Sequence, residues 1–224
     1  MSAPRRPMAR QRGRPLLADA SNAREALLDA AVAAFAEAGV AASPTRSIAR
    51  AAGLTPAMVH YYFGSREALI DAVVEERLAR FIQSVFANAP PADAPAAALV
   101  AAIVDRVFAD VARMPWMPAI WIREIVSDGG LLRERMLRHL PRAAIAGLAA
   151  RMAQARSRGE VAAGVEPALA FISIMGLAMF PLATQSLWRR LPGAARLTSE
   201  QLRAHALAVL GGGLAPATSE SRSR

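Results

Sequence analysis

The chain of 224 residues contains no cysteine and no lysine, and aromatic residues make up only 5% of it. Without cysteine it can form no disulfide, no thiolate metal site and no thiol nucleophile. The missing lysine leaves arginine to carry all 27 basic charges, and the net charge is +9. This basic balance suits a polyanionic partner such as DNA, although a generally basic protein surface would have the same composition.

Strand-like alternation of apolar and polar residues is also missing, whereas apolar residues make up 54% of the chain. Half-buried strands normally show this alternation, and the abundant alanine is the best helix former. The sequence therefore predicts an all-α fold with a sizeable core. It contains no spaced set of nucleophile, base and carboxylate and no cluster of metal ligands, so we predict no enzyme, no cofactor and no metal site.

One uncharged run, from Ala168 to Trp188, is long enough to span a bilayer. Polar residues such as Ser173 and Thr184 dilute it, and Pro181 interrupts it. A helix that is apolar on all sides is equally suited to a buried core or a subunit interface. No apolar segment follows the basic N-terminal residues as it would in a secretory signal. We therefore expect a cytoplasmic protein that does not bind membranes.

Proline and glycine divide the chain into predicted helices. Ser21 can cap a first helix that ends at Gly39, and Ser65 can cap a long helix that reaches Phe86. Two short helices between them, at 44–63, are joined by a turn at Gly53 and match a helix-turn-helix motif. Further helices are predicted at 96–113, 117–127, 130–157, 167–190 and 198–210.

The second short helix begins at Thr55-Pro56 and has two distinct sides on a helical wheel. Val59 and Phe63 lie four residues apart and share the inner side. The outward side carries Ala57, His60 and Tyr61, with Tyr62 at the flank.

Residues 21–81 resemble the DNA-binding domain of the tetracycline-repressor (TetR) family of transcriptional regulators. The resemblance rests on the stretches AREALLDAAVAAFAEAG and PTRSIARAAGLTPAMVHYYFGSREALI and on the spacing between them. The remainder is similar to the family only in length and helical character. Combined with composition, this divides the chain into a disordered basic arm (1–20), a helix-turn-helix domain (21–81, motif 44–63), a ligand-binding and dimerisation domain (82–213) and a disordered tail (214–224).

The resemblance also implies roles for individual residues. In this family the third helix enters the major groove, so Thr55, Ala57, His60 and Tyr61 should face the groove. Thr45 should reach phosphate, Arg46 should approach a base edge or phosphate, and Tyr62 and Arg66 should hold the DNA backbone. Tyr62 stands where many members have histidine. The alternative for Tyr62 is a partly buried ring whose hydroxyl is exposed to water. For Arg46 the alternative is a solvated helix face.

The N-terminal arm contains Arg12-Gly13-Arg14-Pro15, which has the form of an AT-hook core. In such a core, arginine enters a narrow minor groove, so Arg12 and Arg14 are candidate DNA contacts. A solubilising tail that attracts phosphate without sequence preference is the alternative.

For the second domain, the resemblance implies a small-molecule effector site and a two-fold dimer. Arg123 or Glu124 could orient a polar ligand in an apolar cavity. The candidate lining residues are Phe108, Met114, Trp116, Met117, Trp121, Phe171, Met175 and Met179. Ordinary core packing is the alternative for each of them.

These implications describe a homodimeric repressor that binds a pseudo-palindromic operator in double-stranded DNA and leaves it when an unknown small molecule binds. The alternative is an architectural DNA-binding protein without an effector.

Overall fold

The computed structural model describes residues 17–87, 89–91 and 93–214. Every regular element in these ranges is helical, which confirms the predicted all-α fold. The first part of the chain forms four helices, a π-helical segment and a fifth helix that continues its axis. They are α1 (Leu17–Ala38), α2 (Thr45–Ala51), α3 (Pro56–Phe63), α4 (Arg66–Val73), the π-helical segment Val74–Leu78 and α5 (Ala79–Ser84).

The second part of the chain is also helical and includes a second π-helical segment and one short 3-10 helix. Its elements are α6 (Ala96–Arg113), α7 (Met117–Ile120), the π-helical segment Trp121–Val126, α8 (Arg133–Leu137), α9 (Arg142–Ser157), the 3-10 helix Pro167–Leu169, α10 (Ala170–Ala183), α11 (Gln185–Trp188) and α12 (Ser199–Leu214).

The two ends of the described chain differ from the prediction. Helix α1 begins at Leu17 rather than at the predicted cap, Ser21, so the end of the predicted arm is helical. Leucine and alanine favour a helix. Helix α12 continues through three glycines to Leu214, whose carbonyl accepts a hydrogen bond from the Ala162 N–H at 2.9 Å. Arg12, Arg14 and the tail from 215 lie outside the described residues.

Two of the long predicted helices are broken in the structure. The region 130–157 forms α8 and α9, because Pro141 lacks the N–H that would continue a helix. The region 167–190 forms a 3-10 turn, α10 and α11, with the break at Thr184. The helix predicted at 96–113 matches α6 at both ends. No helix among the described residues combines the length and hydropathy that a bilayer crossing requires.

Buried apolar side chains form a continuous cluster from α1 to α12. In the first part, Leu27, Phe35, Ile48 and Val59 bring α1, α2 and α3 together. In the second part, α10 packs one side against α6, α9 and α12. This arrangement supports the small helix-turn-helix on one side of a larger helical body.

Candidate nucleic-acid interface and its link to the second domain

The turn between α2 and α3 is tight because Gly53 adopts φ +70°. That conformation brings the Leu54 N–H to the Ala49 carbonyl at 2.8 Å, which ends α2. Helix α3 then begins at Pro56, where a missing N–H costs nothing. Thr55 has extended backbone and an exposed side chain, but its hydroxyl does not cap the helix.

Helix α3 has the two sides that the helical wheel predicts. Val59 is fully buried, and Phe63 is half-buried against the core. Ala57 and His60 are exposed, and Tyr61 keeps 75% of its surface in solvent. A tyrosine this exposed contributes little to the core, so its ring is available to an outside partner.

Tyr61 and Tyr62 are adjacent on α3 but differ in burial. Tyr62 is half-buried and packs against the core. Its ring meets that of Tyr61 edge to face, with centroids 4.9 Å apart and planes at 81°. Tyr62 thus supports the outward ring of Tyr61, an arrangement that aromatic quadrupoles favour.

The His60 ring is fixed by the end of its own helix. Nδ1 lies 3.0 Å from the carbonyl oxygen of Gly64. A carbonyl can only accept, so Nδ1 must be the donor. Gly64 has φ +78° and ends α3.

Two arginines on α2 are available to an anion. Arg46 and Arg50 are exposed and lie one turn apart on the same side of the helix. Within the described part of the chain, the side chain of neither arginine makes a hydrogen bond or an ion pair. Sequence reasoning had missed Arg50, although its spacing of four from Arg46 was a visible signal. Thr45, the first residue of α2, is half-buried.

Arg66 is placed differently from the free arginines. Its guanidinium donates a hydrogen bond to the Val40 carbonyl at 2.6 Å and also approaches Glu67 at 3.5 Å. The head of α4 is therefore tied to the turn between α1 and α2. Arg66 can hold DNA only with the part of its guanidinium that this bond leaves free.

Val40 also joins the helix-turn-helix to the second domain. Its N–H donates to Glu124 Oε1 at 2.9 Å, and Glu124 Oε2 accepts from the Leu131 N–H at 3.1 Å. Glu124 is buried, so both oxygens of its carboxylate are satisfied by backbone donors out of contact with water. The π-helical segment Trp121–Val126 and helix α4 thus both contact the turn between α1 and α2, at Val40.

The neighbouring Arg123 strengthens the same junction. It donates to the carbonyls of Ala36 at 3.1 Å and Glu37 at 2.7 Å, which are the free acceptors at the end of α1. Gly39 follows at φ +85°, and a side-chain carbon there would lie 2.9 Å from Glu124 Oε1. The turn needs glycine for its conformation and for its closeness to the second domain.

A second contact reaches α4 from α8. Arg135 forms ion pairs with Glu67 and with Asp71, the latter at 2.6 Å. The hydrogen bond that Arg135 donates to Asp71, with the two nearby carboxylates, raises the pKa of Arg135 above its ordinary value. The turn between α1 and α2 and helix α4 are therefore both fixed to the second domain.

The predicted effector residues are spread through the second domain. Met117 and Met179 are fully buried, Met175 is buried, and Phe171 stacks on Phe86 with centroids 5.7 Å apart. Arg123 lies at the domain junction. The rest occupy separate places: Phe108 is buried beside a surface cleft near Arg203, and Met114, Trp116 and Trp121 are half-buried.

Trp121 is the member of this set that lines a mainly apolar cleft. The cleft has a volume of about 500 Å³ and lies between α10, α12 and the π-helical segment. Leu177, Phe180 and Val209 form its other apolar walls. A second cleft of about 350 Å³ shares Ser173, Val209 and Leu210 with it, so the two are continuous along α12.

A family model described as bacterial regulatory proteins of the tetR family matches residues 27–73, which run from α1 to the end of α4. This segment of the chain is therefore similar to the TetR family of transcriptional regulators. The match contains all of α2 and α3 and the outward residues of the interface. TetR proteins are regulators, so the family gives no support to an enzymatic function.

Individual TetR proteins resemble different parts of the chain. BetI, an HTH-type transcriptional regulator of Rhizobium meliloti, is 42% identical over 57 residues, which are 25% of this chain and 28% of BetI. A tetR-family regulator of Rhodococcus RHA1 aligns with a TM-score of 0.67 at 18% identity, covering 86% of this chain and 97% of its own. FadR of Bacillus subtilis, solved in complex with stearoyl-CoA, gives 0.62 at 21%, covering 85% and 98%. The structural matches extend the TetR fold across the second domain.

Proposed function

We propose that this protein is a cytoplasmic homodimeric repressor that binds a pseudo-palindromic operator through the outward side of α3. The observation that carries the proposal is the exposed set Ala57, His60 and Tyr61 on the second helix of a helix-turn-helix. In such motifs this helix lies in the major groove and the first helix crosses the backbone. Arg46 and Arg50 on α2 are then placed to neutralise phosphates.

A second copy of the chain would cover the outer side of α10. Ile172 and Phe180 lie there with 64% and 53% of their surfaces exposed, on either side of Gly176. The other side of the same helix is buried in the core. A two-fold dimer across this surface would present two α3 helices at about 34–36 Å or a multiple, which requires a palindromic site.

An apolar small molecule in the Trp121 cleft would act on the helix-turn-helix through the π-helical segment. Trp121 lines the cleft, and Glu124 on the same segment holds Val40. Displacement of the segment would release the turn between α1 and α2 that orients α3 and α4. The distance between the two α3 helices of a dimer would then change. The stearoyl-CoA bound by FadR supports an effector with a long apolar part.

Selection from random double-stranded DNA tests the proposal, followed by affinity measurements on the enriched site. Tyr61→Ala should lower affinity about tenfold at fixed salt, because a major-groove contact is lost. Arg46→Ala should also lower it and should reduce the dependence on salt by about one counterion.

The matched control is Arg142→Ala, which removes an exposed arginine from α9 in the second domain. It should leave operator affinity within about twofold, because loss of one remote charge acts only through screened long-range attraction. If Tyr61→Ala and Arg46→Ala bind the selected site as tightly as this control, the proposed interface is wrong. Enrichment of DNA without a common sequence would support the architectural alternative.

A further inference from the structure

His60 presents one ring nitrogen outward in a defined hydrogen-bonding state. Nδ1 donates to the Gly64 carbonyl at 3.0 Å, and the side chain is exposed. A neutral imidazole carries one donor and one acceptor. Since Nδ1 is the donor, Nε2 is an acceptor on the far edge of the ring, on the same side of α3 as Ala57 and Tyr61.

We propose that His60 determines operator specificity by accepting a hydrogen bond from an exocyclic amino group, N6 of adenine or N4 of cytosine. The inference rests on the proposed function, because it places α3 in the major groove. In that groove only adenine and cytosine offer a donor; guanine and thymine offer acceptors, with a methyl group on thymine. An acceptor at Nε2 therefore selects a base that presents an amino group in the major groove and rejects one that does not.

The residues around His60 favour such a contact. Ala57 lies three residues earlier on the same side and is the smallest side chain that still has a β-carbon, so a base edge can come close to the helix there. The hydrogen bond to Gly64 fixes the ring before DNA arrives, which reduces the entropy lost on binding.

A purely structural role for the same hydrogen bond makes a different prediction. If His60 served only to end α3, its replacement would alter stability and would weaken binding to every DNA sequence alike. A base-reading role changes which base is preferred at one position of each half-site. The difference between these two outcomes does not depend on how much the replacement destabilises α3.

The experiment uses the full chain and the operator found by selection. At each adenine the amino group is removed by substituting purine, and at each cytosine by substituting 2-pyrimidinone, in both half-sites together. The binding of each DNA is measured for wild type, His60→Phe and His60→Gln at one salt concentration and about pH 8. His60→Phe keeps a ring and removes both nitrogens, whereas His60→Gln keeps an acceptor.

We expect one position at which removal of the amino group weakens wild-type binding by about threefold to tenfold. His60→Phe should show no loss from that removal, and His60→Gln should keep part of it. The comparison between variants cancels the weaker base pairing of the analogue itself.

Three results would overturn the inference. The first is that wild type binds all the amine-free operators as tightly as the parent operator. The second is that His60→Phe loses as much affinity as wild type at every position. Sensitivity to 7-deazaguanine that depends on His60 would mean that Nε2 donates. If wild type enriches no DNA sequence, that separate result means that the proposed DNA-binding function is wrong, and the inference about His60 fails with it.

Discussion

Arginine has two different roles on the surface of the helix-turn-helix domain. Arg24 forms two hydrogen bonds with the Glu76 carboxylate, at 2.5 and 2.8 Å, and its guanidinium lies 5.1 Å from the centre of the Phe63 ring. Arg77 donates hydrogen bonds to Glu25 at 2.6 Å and to Asp29 at 3.0 Å. Arginines held like these stabilise the domain and are poorly placed to bind phosphate, so the proposed phosphate contacts are assigned to Arg46 and Arg50.

The Arg24–Glu76 pair predicts an acid-dependent loss of stability. The hydrogen bond from Arg24 is the main cause that lowers the pKa of Glu76 below its ordinary value. A carboxylate with a lowered pKa in the folded state stabilises it at pH values above the unfolded pKa, about 4.3, and this stabilisation is lost as pH falls through the folded pKa. Glu76→Gln should therefore lower the free energy of unfolding by about 1 kcal/mol at pH 7.

Urea unfolding of wild type and Glu76→Gln as a function of pH measures this effect. The two curves should converge as pH falls below about 4. The control is Glu75→Gln, which removes the same charge from an exposed neighbouring side chain. A difference between wild type and Glu76→Gln that stays constant down to pH 3 would rule out the ion pair as its source.

The sequence predicted some side-chain environments and missed others for a clear physical reason. The wheel of α3 separates Val59 from Tyr61 correctly, because burial on a short helix follows its period. It could not predict that Arg66 would donate to Val40, 26 residues earlier. That contact depends on how α4 returns to the end of α1, and local periodicity contains no information about it.

The junction between the domains is a property of whole elements. The end of α1, the turn at Gly39 and the π-helical segment Trp121–Val126 meet where backbone groups of the turn are satisfied by Arg123 and Glu124. Ordinarily the last carbonyls of a helix are satisfied by its own C-terminal turn or by water. Here side chains from the second domain provide part of that satisfaction, so displacement of one element leaves unpaired groups on the other.

Substitutions at two glycines can separate the effect of this junction on stability from the effect of backbone strain. Gly39 and Gly53 both have positive φ, so alanine at either should cost about 1–2 kcal/mol. At Gly53 a new side-chain carbon would meet no atom within 4 Å, whereas at Gly39 it would approach Glu124 Oε1 to 2.9 Å and Arg123 Cδ to 3.1 Å. Gly39→Ala should therefore be the more destabilising, by about 1 kcal/mol or more.

Chemical denaturation of Gly39→Ala and Gly53→Ala tests this comparison directly. The excess cost at Gly39 should shrink when Glu124 is replaced by alanine in both backgrounds, because most of the clash is then removed. Equal costs for the two single substitutions, with or without Glu124, would show that the junction tolerates the added carbon and is looser than the distances indicate.

Element boundaries followed from the sequence where a local signal existed. Helix α6 matches its prediction because Pro95 marks its start and Pro115 follows its end. The break at Pro141 had the same kind of signal, yet the apolar and alanine-rich pattern on both sides suggested one helix. The π-helical segments have no comparable signature. Glu124 and Val40 are 84 residues apart, so their contact could only come from the folded structure.

At the scale of the whole molecule, apolar patterning identified buried residues without identifying a cavity. Of the predicted effector residues, Met117, Met175 and Met179 are part of the packed core, and Trp121 lines an open cleft. A helical stripe of methionine and aromatic residues has the same spacing in both situations. Which of them borders empty space depends on the packing of α10 against α12, which the sequence does not reveal.

The outer side of α10 is the proposed dimer surface. A regulator that is monomeric has only one α3 helix with which to contact DNA, so it would bind a palindromic site weakly. Ile172→Glu places a charge on the exposed apolar surface of α10, and burial of an unpaired charge in a subunit interface is costly. We expect this variant to have half the wild-type mass by light scattering, with unchanged helical content.

Its operator affinity should fall by about a hundredfold, because two linked heads bind far more tightly than one. The matched control is Leu137→Glu, which adds the same charge at an exposed apolar residue of α8 and should leave both mass and affinity unchanged. If Ile172→Glu remains dimeric and binds normally, two copies must pair through a different surface, and the spacing of the two α3 helices must be derived from that surface instead.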